Sequence, residues 1–194
     1  MLDGGRGGEP ASRRHVGVPG LATSHEVSGA PPVKRLAVMR TVAYTLGLAW
    51  CAPVYRDILF QVAMLAGVGC WVGLWLCMPV HPITLRQVLS PVFFSLVLWQ
   101  PAIEECLFRG CLQGQLCQWS WGQRRWYGIT AANGCTSLLF AVGHCWHHPP
   151  LWAAAVLLPS LIFGYFRDRY TSVYPCMLLH AFYNAGYFGL TGLS

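Results

Sequence analysis

The chain has 194 residues, of which 55% are hydrophobic and only 10% charged, and its mean hydropathy is +0.44. Soluble domains carry about 25% charged residues, so the composition excludes a soluble globular domain and indicates an integral membrane protein. The net charge of +6 is no argument for nucleic acid, because much of the excess sits in the N-terminal tail and short loops and no folded basic module follows it.

Residues 1–33 are rich in Gly, Pro, Ser and Arg without apolar periodicity, and are predicted to form a disordered basic cytoplasmic tail. No apolar run follows a short basic start, which argues against a cleaved signal peptide. Residues 34–57 read as an interfacial helix or weak span, since the apolar stretch 36–52 carries Arg40. From Ile58 to Val80 there is no charge, enough chain to cross roughly 30 Å of hydrocarbon. Residues 88–116 form a long apolar helix that contains Glu104, Glu105 and Arg109, and 127–146, 150–166 and 174–192 are three further candidates. The predicted fold is all-α, a polytopic transmembrane helix bundle of about five to six spans, with a membrane-embedded core over 58–194. A β-barrel would alternate polar and apolar residues, and these stretches do not. Five spans from Ile58, with the N-terminus inside, place Arg56, Arg124, Arg125, Arg167 and Arg169 on the cytoplasmic side and Arg86 opposite. The nine cysteines show no disulfide-scaffold pattern, and six lie in apolar stretches where Cys behaves as a small hydrophobe.

The chemistry concentrates in Pro101-Ala-Ile-Glu104-Glu105-Cys-Leu-Phe-Arg109. An ionised side chain at the bilayer centre costs roughly 2.5–3.5 kcal/mol on insertion scales, so two adjacent acids within a span need a reason beyond packing. Neighbours on a helix point about 100° apart, so the two carboxylates meet different partners. Glu105 and Arg109, at i,i+4, can pair and are then structural. Glu104 has no such local cation and is free to act as a general base. Pro101 cannot donate to the Val97 carbonyl, which loosens the helix just before the acids. A second element is Phe140-Ala-Val-Gly143-His144, where Gly143 permits close helix approach. A third is His180-Ala-Phe-Tyr-Asn184, whose two polar side chains share one helix face and need a polar partner or a wet cavity. Each pattern alone also fits a buried ion pair or interhelical hydrogen bond. Together they assemble a base, a water ligand and oxyanion donors, the parts that hydrolysis requires.

Glu-Glu-x-x-x-Arg, Phe-x-x-x-His and His-x-x-x-Asn, in this order on successive apolar segments, resemble the signature of the CPBP family of CAAX proteases and bacteriocin-processing enzymes. The likeness covers roughly residues 88–192, and His147, three residues after His144, resembles the prenyl-protein branch. The resemblance implies an intramembrane glutamic endopeptidase in which Glu104 and His144 hold a water, His180 and Asn184 stabilise the oxyanion, and Glu105 and Arg109 support the site. It implies a membrane-anchored protein substrate carrying a prenylated or C-terminal tail peptide, within the lipid bilayer and without nucleic acid. Arg167-Asp-Arg-Tyr170 and Trp146-His-His-Pro-Pro150 are similar to bacterial members that process C-terminal sorting tails, which would place the protein, multi-pass, in a bacterial inner membrane.

Other readings remain at this point. Zinc could be held by Glu104, His144, His147 and His180, although the compact His-Glu-x-x-His of many zinc proteases is absent; the family resemblance favours no metal. A membrane scaffold or immunity protein could bind a peptide in the same cavity without cutting it. A proton-coupled transporter fits intramembrane acids, but no internal repeat is visible.

Overall fold

The structure, a computed structural model, describes residues 32–51, 53–77 and 79–193, with side chains from Met39 onward. The tail expected over 1–33 lies outside the described residues, apart from Pro32 and Val33, which open a helix. The chain divides into two units, Met1–Leu36 and Ala37–Ser194, and the architecture below is that of the second.

Seven helices occur among the described residues: α1 Pro32–Thr45, α2 Ile58–Cys77, the single turn α3 Leu85–Val88, α4 Pro91–Leu116, α5 Ala131–His144, α6 Pro150–Tyr170 and α7 Tyr174–Thr191. The all-α expectation holds, with one short hairpin added, β1 Arg125–Trp126 against β2 Ile129–Thr130. Tyr127 and Gly128 turn that hairpin with φ of 48° and 85°, the left-handed pair that a two-residue connection needs. The stretch expected to be helical over 36–52 ends at Thr45, and Gly47, at φ 68°, takes the chain out of the helix.

Local sequence sets the helix ends. Ser90 caps α4 by accepting the Phe93 N–H, with Pro91 in the first turn, where its missing N–H costs nothing. The Thr130 hydroxyl accepts the Asn133 N–H to start α5 and donates to Asp168 Oδ2 at 2.7 Å, tying the start of α5 to the end of α6. Asp57, just before α2, accepts from Arg169 Nε at 2.6 Å and the Tyr170 hydroxyl at 2.7 Å. The α2 start, the α5 start and the α6 end therefore share one side. At the other, the N–H groups of His81 and Ile83 donate to the Leu190 and Gly189 carbonyls of α7.

Among the described residues three helices are long and apolar enough to cross a bilayer: α2, α4 and α6, of 20, 26 and 21 residues. Helix α5 has 14 residues, about 21 Å, and α7 has 18 but falls short in apolarity. These two carry Asn133, Thr136, Ser137, His180 and Asn184.

Many polar side chains are buried and many apolar ones face outward, unlike a soluble domain. Glu105, Arg109, Gln113, Asn133, Thr136, Ser137 and Ser160 are all fully buried, whereas Leu65, Leu76 and Leu158 are each more than 60% exposed. An apolar core of Phe60, Ala63, Phe163, Phe166, Cys176 and Leu179 joins α2, α6 and α7. Between α4 and α6 runs a polar seam with a four-residue repeat on both sides. Arg109 donates to the Ser160 hydroxyl and carbonyl at 2.8 and 3.1 Å, and Gln113 donates to the Gly164 carbonyl at 2.9 Å and to Asp168 Oδ1 at 2.7 Å.

Two expectations are corrected. Arg167 is not a loop charge that sets topology: it lies inside α6, is buried, and donates to the Arg109 and Thr45 carbonyls. A guanidinium spent on backbone oxygens fastens helices. Nor does Gly143 make a close helix contact, since a Cβ there would meet open space. The close approach is at Gly164 in α6, where a Cβ would run into the Asn133 amide.

Candidate active site

Helix α4 winds wider than an α-helix over Ser95–Trp99 and again over Cys106–Gln113, and the two acids sit on the regular stretch between. The proline explains the first widening. A ring at position 101 clashes with the carbonyl four residues back, and a wider turn relieves that clash.

Glu105 is fully buried and accepts from two donors, Arg109 Nε at 3.1 Å through Oε2 and His180 Nδ1 at 2.8 Å through Oε1. The Arg109 pair is the one that its i,i+4 spacing predicts. The His180 bond, from a helix 75 residues further along, has no signal in local spacing. A carboxylate that already faces Arg109 accepts, so Nδ1 of His180 carries a proton and Nε2 points the other way. There it faces Glu104 Oε2 at 3.7 Å, too long for a hydrogen bond but within ion-pair range. The Glu104 side chain is 34% exposed, against none for Glu105. Adjacent acids thus have different surroundings, one locked and one accessible.

The His180 ring lies between two buried phenylalanines. Phe163 stacks on it at 5.0 Å and 21° between planes, and Phe140 meets it edge-on at 6.0 Å. Phe140 also packs on His144 at 4.6 Å and lies under the Arg109 guanidinium at 5.5 Å. His144, at the last residue of α5, places Nδ1 2.8 Å from the Phe140 carbonyl. A carbonyl only accepts, so that nitrogen holds the proton and the Nε2 lone pair is left for another partner. His144 and His180 both lie within electrostatic range of Glu104. Beyond His144 the rings of His148, Trp152 and Tyr187 continue in sequence, with centroids 5.2–6.1 Å apart.

Asn184 stands one turn after His180 on α7, and its Nδ2 donates to the Leu96 carbonyl at 3.0 Å. The structure therefore brings Glu104, Glu105, Arg109 and His180 into direct contact, sets His144 nearby through Phe140, and holds Asn184 by the widened turn of α4. Phe163 and Ser160 complete the surroundings and were not singled out by sequence. Ser160 follows a helix-interior proline, Pro159, which is the one local hint. His147 lies in the exposed turn after α5. Among the described residues no three His, Cys, Asp or Glu side chains are grouped as a metal site. An apolar groove between α2 and α6, bordered by Val62, Ala66, Leu158 and Ile162, includes none of these residues.

Comparison with known proteins fits this geometry. No curated protein and no solved structure matches the chain significantly. A family model described as type II CAAX prenyl endopeptidase, Rce1-like, matches residues 86–186, which is more than half of the chain and contains Glu104, Glu105, Arg109, His144, His180 and Asn184. The chain belongs to the Rce1-like family of type II CAAX prenyl endopeptidases, membrane-embedded proteases of the CPBP group.

Proposed function

We propose that this protein hydrolyses a peptide bond near the C-terminus of a membrane-anchored, prenylated protein, using a water activated by Glu104 and His144. The observation that carries the reading is the contrast between the two acids: Glu105 fixes Nδ1 of His180, while the accessible Glu104 faces Nε2 of the same ring. Glu104 takes a proton from the water as its oxygen attacks the scissile carbonyl, and the Nε2 lone pair of His144 holds the water's other hydrogen. The developing oxyanion accepts hydrogen bonds from the protonated Nε2 of His180 and from an N–H of Asn184. Collapse of the tetrahedral intermediate expels the amine, which takes the proton from Glu104. Glu104 and Glu105 face the two nitrogens of the His180 ring, and Arg109 balances the second carboxylate.

No metal takes part in this scheme. The test is cleavage of a prenylated C-terminal peptide by the purified protein in detergent, with the cut mapped by mass spectrometry. Glu104→Gln lowers the rate by about 10²–10⁴, the range for loss of a general base, and leaves unfolding unchanged. A chelator leaves the wild-type rate unchanged. Full turnover by Glu104→Gln would sink the assignment; rate loss with chelator, restored by zinc, would replace it with the metalloprotease reading.

A further inference from the structure

We infer that Pro101 is a positioning residue for Asn184, acting through one backbone carbonyl. The inference rests on the reading of Asn184 as an oxyanion donor and extends it to a residue three positions before Glu104. In the widened turn of α4 the Gln100 N–H donates to the Ser95 carbonyl, five residues back. The next N–H in that register belongs to residue 101 and would reach the Leu96 carbonyl. Residue 101 is proline, with no N–H to give. The Leu96 carbonyl is thereby released from the helix ladder, and a backbone acceptor at this depth needs a donor from elsewhere. Asn184 Nδ2 supplies it at 3.0 Å.

The consequence is orientational. A primary amide has two N–H groups in one plane about 120° apart. Fixing one on Leu96 O fixes the plane and aims the other. His180, one turn earlier on the same face of α7, is fixed by the same logic, its Nδ1 held by Glu105 so that Nε2 is presented. Both proposed donors are thus held by α4 through one of their two N–H positions. Glu104 and Glu105 stand on α4 immediately after Pro101, so the general base and the anchors of both donors move as one segment. A non-proline residue at 101 returns an N–H to the ladder. In the widened register that N–H competes for Leu96 O, and Asn184 is free to rotate.

The experiment exchanges the N–H alone. Pro101→Ala is prepared in the full chain, and beside it the variant with the α-hydroxy analogue of alanine at 101, introduced by nonsense suppression, which replaces the N–H by an ester oxygen. Both keep the alanine side chain, and only the first can donate. We expect Pro101→Ala to fold, to keep KM within about twofold, and to lose about 10–100-fold in kcat, less than the 10²–10³ that removing an oxyanion donor outright costs. The ester variant should recover most of that kcat. Wild-type kcat in Pro101→Ala overturns the inference, and so does an equal loss in both variants, which would assign the effect to the proline ring. Glu104→Gln run in parallel separates the two levels. If it retains turnover the hydrolytic reading itself fails; if it is inactive while Pro101→Ala is normal, only the positioning role fails.

Discussion

Glu105→Gln isolates the most heavily engaged side chain in the bundle. In the wild type its two oxygens accept from Arg109 Nε and His180 Nδ1, and neither Glu105 nor Arg109 is exposed at all. Glutamine offers one neutral acceptor oxygen for two donors, so either the guanidinium or the imidazole loses its partner. Arg109 keeps its bonds to Ser160, but its Nη1 already has no hydrogen-bond partner, so nothing nearby takes up the slack. Breaking a buried pair from one side costs about 3–5 kcal/mol. Against a typical total of about 5–15 kcal/mol that is a large fraction, a drop of roughly 10²–10⁴ in the folded-to-unfolded ratio. Replacing both partners with apolar side chains, as in Glu105→Leu with Arg109→Met, should recover part of the loss, because the stranded charge is gone. The assay is unfolding by sodium dodecyl sulfate titration in mixed micelles, followed by tryptophan fluorescence. A single Glu105→Gln variant within about 0.5 kcal/mol of wild type, the scale of a neutral surface change, would refute the argument.

Asp57 sets an acid limb on stability. The Tyr170 hydroxyl, then the Arg169 guanidinium and the Leu59 N–H, hold its carboxyl below the ordinary value of 3.8. A lowered folded value means the stabilisation is complete above the unfolded value and is lost as pH falls through the folded one, so Asp57→Asn should flatten the stability profile below about pH 4; an unchanged acid slope would exclude it. Gly164→Ala drives a methyl into the Asn133 amide, which bonds the Leu161 carbonyl and Ser137, and should cost about 1–3 kcal/mol. Gly143→Ala, facing open space, is the matched control, and equal thermal midpoints for the two would contradict the packing.

The membrane class, the helical fold and the candidate residues stood out in sequence because bilayer physics makes them conspicuous. An acid, an arginine or a paired His and Asn inside an apolar run is costly enough to announce itself. The i,i+4 pair of Glu105 with Arg109 was legible for the same reason. What local spacing cannot carry is the partner across helices: Glu105 to His180, Asn184 to the Leu96 carbonyl, Arg167 to the Arg109 carbonyl. Arg167 was read as a loop cation because position alone cannot separate one from a cation buried on backbone oxygens. The short hairpin before α5 was missed because a Tyr-Gly turn between two-residue strands leaves almost no periodicity to read.

Two of the helices that carry candidate site residues, α5 and α7, are not among the long apolar ones, whereas α4, with Glu104 and Glu105, is. Every imidazole and amide placed for hydrolysis lowers the apolarity of its helix, so α7, with His180 and Asn184, drops out of a hydropathy scan although it has 18 residues. Helix α5 is short for a related reason. It starts beside the end of α6, where Thr130 bonds Asp168, and the 21 residues of α6 cover about 31 Å, the full hydrocarbon thickness. Fourteen residues of α5 cover about 21 Å of the same depth, so α5 stops about 10 Å short of the start of α6. The turn 145–149 makes up the difference. His144, the last residue of α5, therefore stands below the level at which α6 starts, and a non-helical connection follows it. Irregular backbone at that depth is tolerated where it borders protein or a wet cavity. The proposed hydrolysis needs a histidine Nε2 that water can reach, and the non-helical turn 145–149 next to His144 is where water would reach it.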